Sequence, residues 1–397
     1  MTASRLATGE WLDRPLVTFA AVLMIGGTLV GLGLLFVTAS GTLDVFGRPL
    51  GTDFSSFWTA GRMALEGHAP AAYDWQAHQA MQQRIHGTDD YYPWSYPPIF
   101  LLVAAAAALV PYVPALALWQ AASATAAASA FWAILPSRRA LLIAAGFPAV
   151  LICLGHGQTG FLTAALIAGG VLALPRHEIL AGVMFGLLAY KPQFGILIPV
   201  VLVAGRYWRA IVSAAATVAV SVLLTLAIWG WPVWQAFFDS LPLTRTIAFE
   251  AGSTGFEKFQ SMFAWVRLWG GSIPFAYGAQ ALVTAASVIA CIWIWRSDVS
   301  LRLKGAALLT GAMLSSPYVL DYDMVVFGMA LAFLAAHALK RGFERWEKTL
   351  IAVAWFAPVC ARALAQTMLL PVGFLTLAGV FVWIVARVRA ERVRADT

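Results

Sequence analysis

Asp53 opens an amphipathic run, GTDFSSFWTAGRMALEGHAP from Gly51 to Pro70, in which Phe54, Phe57, Trp58 and Leu65 fall at helical spacing. A carboxylate there can act as a general base at a membrane surface, or it can cap the helix by accepting backbone N–H bonds. Residue type alone leaves both open. Lys191 lies inside the apolar stretch LLAYKPQFGILIP. An ionisable group at a bilayer centre costs about 2.5–3.5 kcal/mol on insertion scales and so tends to line a cavity. Pro192 follows it directly, as in broken helices around substrate cavities, although a lysine near an interface would simply snorkel. His156 and Gln158, in LGHGQTGF, sit in a glycine-rich turn that could approach a ligand closely or merely join two helices. Asp321 and Asp323, in SPYVLDYDMVV, flank Tyr322 and follow Tyr318. Their spacing suits a metal or a sugar hydroxyl, and capping of a helix starting near Met324 competes. Arg362, in PVCARALAQ, is a lone basic residue near a span end, either a phosphate ligand or an ordinary interfacial arginine.

The elements that must position these groups are membrane helices. With 61% hydrophobic and 11% charged residues and a mean hydropathy of +0.78, 397 residues carry too little polar surface for a soluble globule. The expected fold is an all-α polytopic bundle forming a single domain over 1–397. Apolar segments run over 16–39, 97–111, 113–135, 140–154, 159–174, 179–204, 210–231, 275–295, 305–315, 324–339, 350–365 and 368–388. That makes about twelve candidate spans, several too short to cross untilted. The first is longer than a secretory leader's core and reads as a retained span. Cys153, Cys291 and Cys360 lie in apolar runs without metal-ligand or CxxC spacing and read as small hydrophobes.

Fifteen of the 26 Lys and Arg residues fall in five places: near Arg5, Arg206, Arg296, Lys340 and Arg387. All five are consistent as cytoplasmic, with both termini inside. The formal charge of +7 is therefore a topology signal, and nucleic acid is not an expected partner. Outer loops then cover 40–96, which carries Asp53 and aromatic amphipathic helices expected at the interface, and 232–274. One conflict remains: twelve spans put Arg138 and Arg139 outside and the turn from Gly155 to Gly160 inside. Breaking the segment 179–204 at Lys191-Pro192 would reverse both.

Five segments in order, GTDFSSFWTAGRMALEGHAPAAYD, YPPIFLLVAAAALVP, GQTGFLTAALI, AGVMFGLLAYKPQFGILIPVVL and SPYVLDYD, make the chain resemble glycosyltransferase family 87. The family belongs to the GT-C superfamily of membrane transferases that take sugar from a polyprenyl-phosphate donor. The resemblance implies a GT-C-like bundle with Asp53 as catalytic base and Lys191 in the family's Lys-Pro segment. The family includes a mannosyltransferase acting on phosphatidylinositol mannosides. Where that relative carries a Trp and His pair, this chain reads Leu320-Asp321-Tyr322-Asp323.

A lipid-phosphate donor brings its own leaving group, so one base and nearby cations suffice. Asp53 would supply the first; Lys191, Arg62, His156 and Arg362 are candidates for holding the phosphate. Trp58, Gln158, Tyr318, Asp321, Tyr322 and Asp323 are candidate substrate contacts. No cofactor is expected, and a divalent metal is possible without being required. The expectation is an inverting transferase of a hexose or pentose onto a lipid or glycan acceptor, in the inner membrane with its site facing the periplasm. The competing class is a transporter or lipid flippase using Lys191, Asp321 and Asp323 as an ion path.

Overall fold

A computed structural model describes residues 3–396, and helices are the regular elements among them, joined by three isolated bridges. Among the described residues six helices are long and apolar enough to cross a membrane: Arg14–Val37, Trp208–Trp229, Ile273–Arg296, Asp321–Arg341, Glu347–Met368 and Val372–Arg394. A bent pair, Arg138–Ala145 and Pro148–His156, would make a seventh. Most of the remaining apolar segments form shorter helices, including Pro98–Ala108 and Gly160–Ala173, so the spans of full length fall well below twelve.

Burial sorts these helices into layers. Asp321–Arg341 is 83% buried within its apolar window, whereas Trp208–Trp229 is 6% buried and presents bare apolar side chains outward. The first is the axis of the bundle and the second its lipid-facing rim. Around the axis lie Gly160–Ala173 and Leu301–Leu314, both almost wholly enclosed.

Two breaks set the geometry. The Arg138–Ala145 and Pro148–His156 helices meet at 57°, where Gly146 rests on the Ala21 backbone and Pro148 begins a new helix. The 179–204 segment breaks at Lys191, which leaves helical geometry (φ −124°, ψ 72°) before Pro192 starts a fresh turn. Both ends of that segment lie at one level, because Glu178 Oε1 accepts from the backbone N–H groups of Arg209 (2.7 Å) and Ala210 (3.1 Å). The segment therefore runs in and turns back, with Lys191 at its apex.

This arrangement resolves the conflict over Arg138 and Arg139. Arg139 Nη2 donates to the carbonyl of Arg14 (2.8 Å), which puts the pair at the same end of the bundle as the N-terminal arginines. The Gly155–Gly160 turn lies at the opposite end, against the start of the Asp53 helix. Breaking at Lys191-Pro192 is thus the reading that the structure follows.

The Thr52–Leu65 helix is enclosed rather than laid on a surface with one face open, ten of its residues being buried. Gly61 makes this possible: a Cβ there would stand 2.0 Å from the Ala104 carbonyl oxygen, so only glycine lets the Pro98–Ala108 helix approach so closely. Phe57 sits edge-on to Trp94, Tyr96, Phe100 and Trp119, an aromatic box that fixes the helix from the other side.

Candidate active site

Asp53 lies in the first turn of its helix, and the residue at the cap is Gly51, in the left-handed region (φ 63°) and without a side-chain cap bond. Its carboxylate is turned to a side chain instead. Gln158 Nε2 donates to Asp53 Oδ2 at 2.8 Å. The capping alternative for Asp53 is therefore not what the fold adopts.

The amide of Gln158 is fixed at its other end. Its Oε1 accepts from Tyr96 Oη (3.0 Å) and from the Thr159 backbone N–H (2.9 Å), so the NH2 group has to face Asp53. Burial pushes the Tyr96 hydroxyl well above its ordinary range, which keeps it a donor. His156 joins through Thr52, whose Oγ1 shares a 2.7 Å hydrogen bond with Nδ1. Asp53, half-buried, is thus bonded to the glycine-rich turn directly through Gln158, and its neighbour Thr52 ties His156 to the same helix.

Two glycines shape that turn, and a third does not. Gly157 is left-handed (φ 65°), and a Cβ on it would meet Phe54 Cβ at 2.6 Å. A Cβ on Gly160 would lie 2.6 Å from the Tyr322 carbonyl oxygen, whereas one on Gly155 would meet open space. Gly160 therefore brings the late Asp321–Asp323 turn up to the site.

In that turn both aspartates serve two ends at once. Asp323 Oδ2 accepts from the Leu320 N–H (3.2 Å), and Oδ1 from Lys191 Nζ (2.6 Å). Asp321 Oδ1 accepts from the Tyr322 N–H (2.9 Å), and Oδ2 from Arg362 Nε (3.0 Å) and Nη2. The local turn bonds and the ion pairs coexist, and the two carboxylates diverge to different cations. Lys191 and Asp323 are 3% and 1% exposed, so this pair is sealed. Arg362 keeps 37% of its side chain open and is the cation of the two that a ligand can reach. Tyr322 bridges the halves: its ring faces Lys191 Nζ at 5.1 Å and the His156 ring at 6.2 Å.

Three of the candidates lie elsewhere. Arg62 is nine residues beyond Asp53, two and a half turns on and so on the opposite face, and it pairs with Glu66 at 2.9 Å. Trp58 donates to the Val110 carbonyl (2.9 Å) and packs on Tyr112. Tyr318 shares a 2.6 Å hydrogen bond with Tyr277 Oη and stacks on Phe249 at 4.0 Å, tying the second loop to the bundle. Two participants escaped sequence reading: Thr52, masked as a turn residue, and Tyr96, one of several aromatics in the loop exit. Cys153 and Cys291 are buried as expected, while Cys360 is half-exposed.

No curated protein and no solved structure matches the chain. The model of glycosyltransferase family 87 matches residues 94–317. That stretch contains Tyr96, His156, Gln158 and Lys191, while Asp53, Asp321, Asp323 and Arg362 lie outside it. It is more than half of the 397 residues, and on that match the chain belongs to glycosyltransferase family 87.

Proposed function

We propose that this membrane glycosyltransferase moves a mannose-like hexose or a pentose from a polyprenyl-phosphate donor to a lipid or glycan acceptor, with inversion, at the periplasmic face of the inner membrane. The observation that carries the reading is the Asp53 carboxylate held through Oδ2 by Gln158. Among the described residues no side chain bonds Oδ1, which is left for an incoming hydroxyl. In the transfer step the acceptor oxygen forms a bond to the anomeric carbon. The bond from that carbon to the phosphate oxygen breaks, its electron pair staying on the phosphate, and the acceptor proton passes to Asp53. A single base with direct displacement gives inversion, unlike the paired opposed carboxyls of glycoside hydrolysis.

Arg362 and His156 are the groups placed to meet the developing phosphate charge. Lys191 acts from behind through the Asp321–Asp323 turn, because its own ammonium is closed off by Asp323. This chemistry draws on the carboxylate and cations alone and has no place for a solute path through Lys191. The test supplies purified protein with labelled polyprenyl-phosphate mannose or arabinose and a crude lipid extract. Labelled product with inverted linkage is expected, lost in Asp53→Asn protein of unchanged melting temperature. Full transfer by that variant would remove Asp53 from the chemistry.

A further inference from the structure

A large apolar cavity has Arg139 in its wall and runs on to Cys360. About 970 Å³ in volume and walled almost entirely by apolar side chains, among them Phe131, Phe147 and Trp355, it lies between the first span, the bent pair, the axial helix and the Glu347–Met368 helix. Asp53, Lys191 and Arg362 do not line it. Along the last helix its wall runs from Lys348 to Cys360, a rise of about 18 Å and close to half of a ~30 Å hydrocarbon core. Its depth is that of one leaflet.

Its charged residues are at one end. Arg139 and Lys348 both line the wall there. The starts of three helices are tied together at this mouth: Arg139 donates to the Arg14 carbonyl (2.8 Å), and Trp11 Nε1 donates to Thr349 Oγ1 (2.9 Å). Among the described residues neither Arg139 nor Lys348 forms an ion pair. Arg139 Nε is buried with no hydrogen-bond partner at all. The nearest carboxylate in sequence, Glu347, is turned away to Trp383 and the Glu344 N–H. Lys348 Nζ lies over the Phe343 ring at 5.3 Å, but two cations beside helix N-termini with no carboxylate in ion-pair reach among the described residues leave a place for an anion.

We infer that this cavity binds an anionic diacyl phospholipid, its acyl chains in the apolar pocket and its phosphate between Arg139 and Lys348, at the end of the bundle opposite Asp53. Charge selects this occupant over the sugar donor's lipid tail. A donor reacting at Asp53 must keep its phosphate at the Asp53 end, whereas Arg139 and Lys348, which no carboxylate pairs among the described residues, are at the other. The inference is independent of which sugar or acceptor the enzyme uses.

The test reads lipid class directly. Full-length protein in detergent is given phosphatidylglycerol, phosphatidylcholine or undecaprenyl phosphate, singly and in competition, and bound lipid is counted by native mass spectrometry. The expected result is one phosphatidylglycerol retained, at least tenfold preferred over phosphatidylcholine and not displaced by undecaprenyl phosphate. Arg139→Gln/Lys348→Gln should lose that preference about tenfold, and Arg139→Lys/Lys348→Arg should keep it. Equal retention of phosphatidylcholine, or displacement by undecaprenyl phosphate, overturns the assignment on wild-type protein alone, even if the neutral variant does not fold. A raised KM for the polyprenyl donor in the neutral variant would likewise give the cavity to the donor.

Discussion

Gln158 grips Asp53 by one carboxylate oxygen, Oδ2 at 2.8 Å, while its own carbonyl is pinned by Tyr96 Oη and the Thr159 N–H. Such an amide cannot flip, so it orients the carboxylate without adding charge. Gln158→Met should lower kcat about 100-fold with KM little changed, the cost of a base displaced by an ångström or so. Gln158→Glu sets a second carboxylate against Asp53 and should move the acid limb of the pH–rate profile upward, because two close carboxylates resist joint ionisation. Unaltered kcat and an unmoved limb would make Gln158 a bystander.

The sealed pair of Lys191 and Asp323 gives a stability prediction with a sign that separates it from a substrate contact. Removing either partner leaves a buried charge alone, so Lys191→Met or Asp323→Asn should each cost about 3–5 kcal/mol. Lys191→Met with Asp323→Leu removes both charges and should recover much of that loss. Thermal unfolding of the three proteins in one detergent forms the cycle. Additive losses would mean that the ion pair is not what joins these segments.

How far this was legible in the chain follows from sequence distance. Asp53, Gln158 and Lys191 each stand out locally: a carboxylate after a span, an amide among glycines, a lysine in an apolar run. Their partners do not. Lys191 meets Asp323 across 132 residues and Thr52 meets His156 across 104, and no spacing rule reaches that far. Arg62 shows the reverse error. It is close to Asp53 in sequence, yet helical periodicity carries it to the other face. The expected twelve or so spans are not matched by the six or seven helices long enough to cross among the described residues, since a short helix such as Pro98–Ala108 has the composition of a span without its length.

Glycine substitutions test how the late turn is brought to the site. Gly160→Ala puts a methyl group 2.6 Å from the Tyr322 carbonyl oxygen, where backbone must move, and should destabilise by about 1–3 kcal/mol while lowering activity. Gly155→Ala meets nothing and should leave melting temperature and activity near wild type. Equal behaviour of the two would deny the contact between the Gly160 helix and the Asp321–Asp323 turn.

The first loop carries a pH dependence of its own. His78 is fully enclosed, its Nδ1 without a partner, and burial pushes its pKa down to about 4. His86, bonded through Nδ1 to Thr42 Oγ1 (2.9 Å), is likewise lowered by burial to about 4. Unfolded histidine titrates near 6.5, so between pH 6.5 and 4 the opened loop binds protons that the packed loop refuses. Stability is therefore complete above pH 6.5 and falls as pH drops through that window, by about 3 kcal/mol for His78 once both states are protonated. His78 also leans on the Ser56 carbonyl (3.3 Å), in the helix that carries Asp53, so opening at this point loosens the base. Amide protection factors over 75–96, taken against the intrinsic exchange rate at each pH, should fall between pH 7 and pH 5 in wild-type protein and much less in His78→Phe. Protection that ignores pH in that range would mean that the imidazole is not held neutral by its burial.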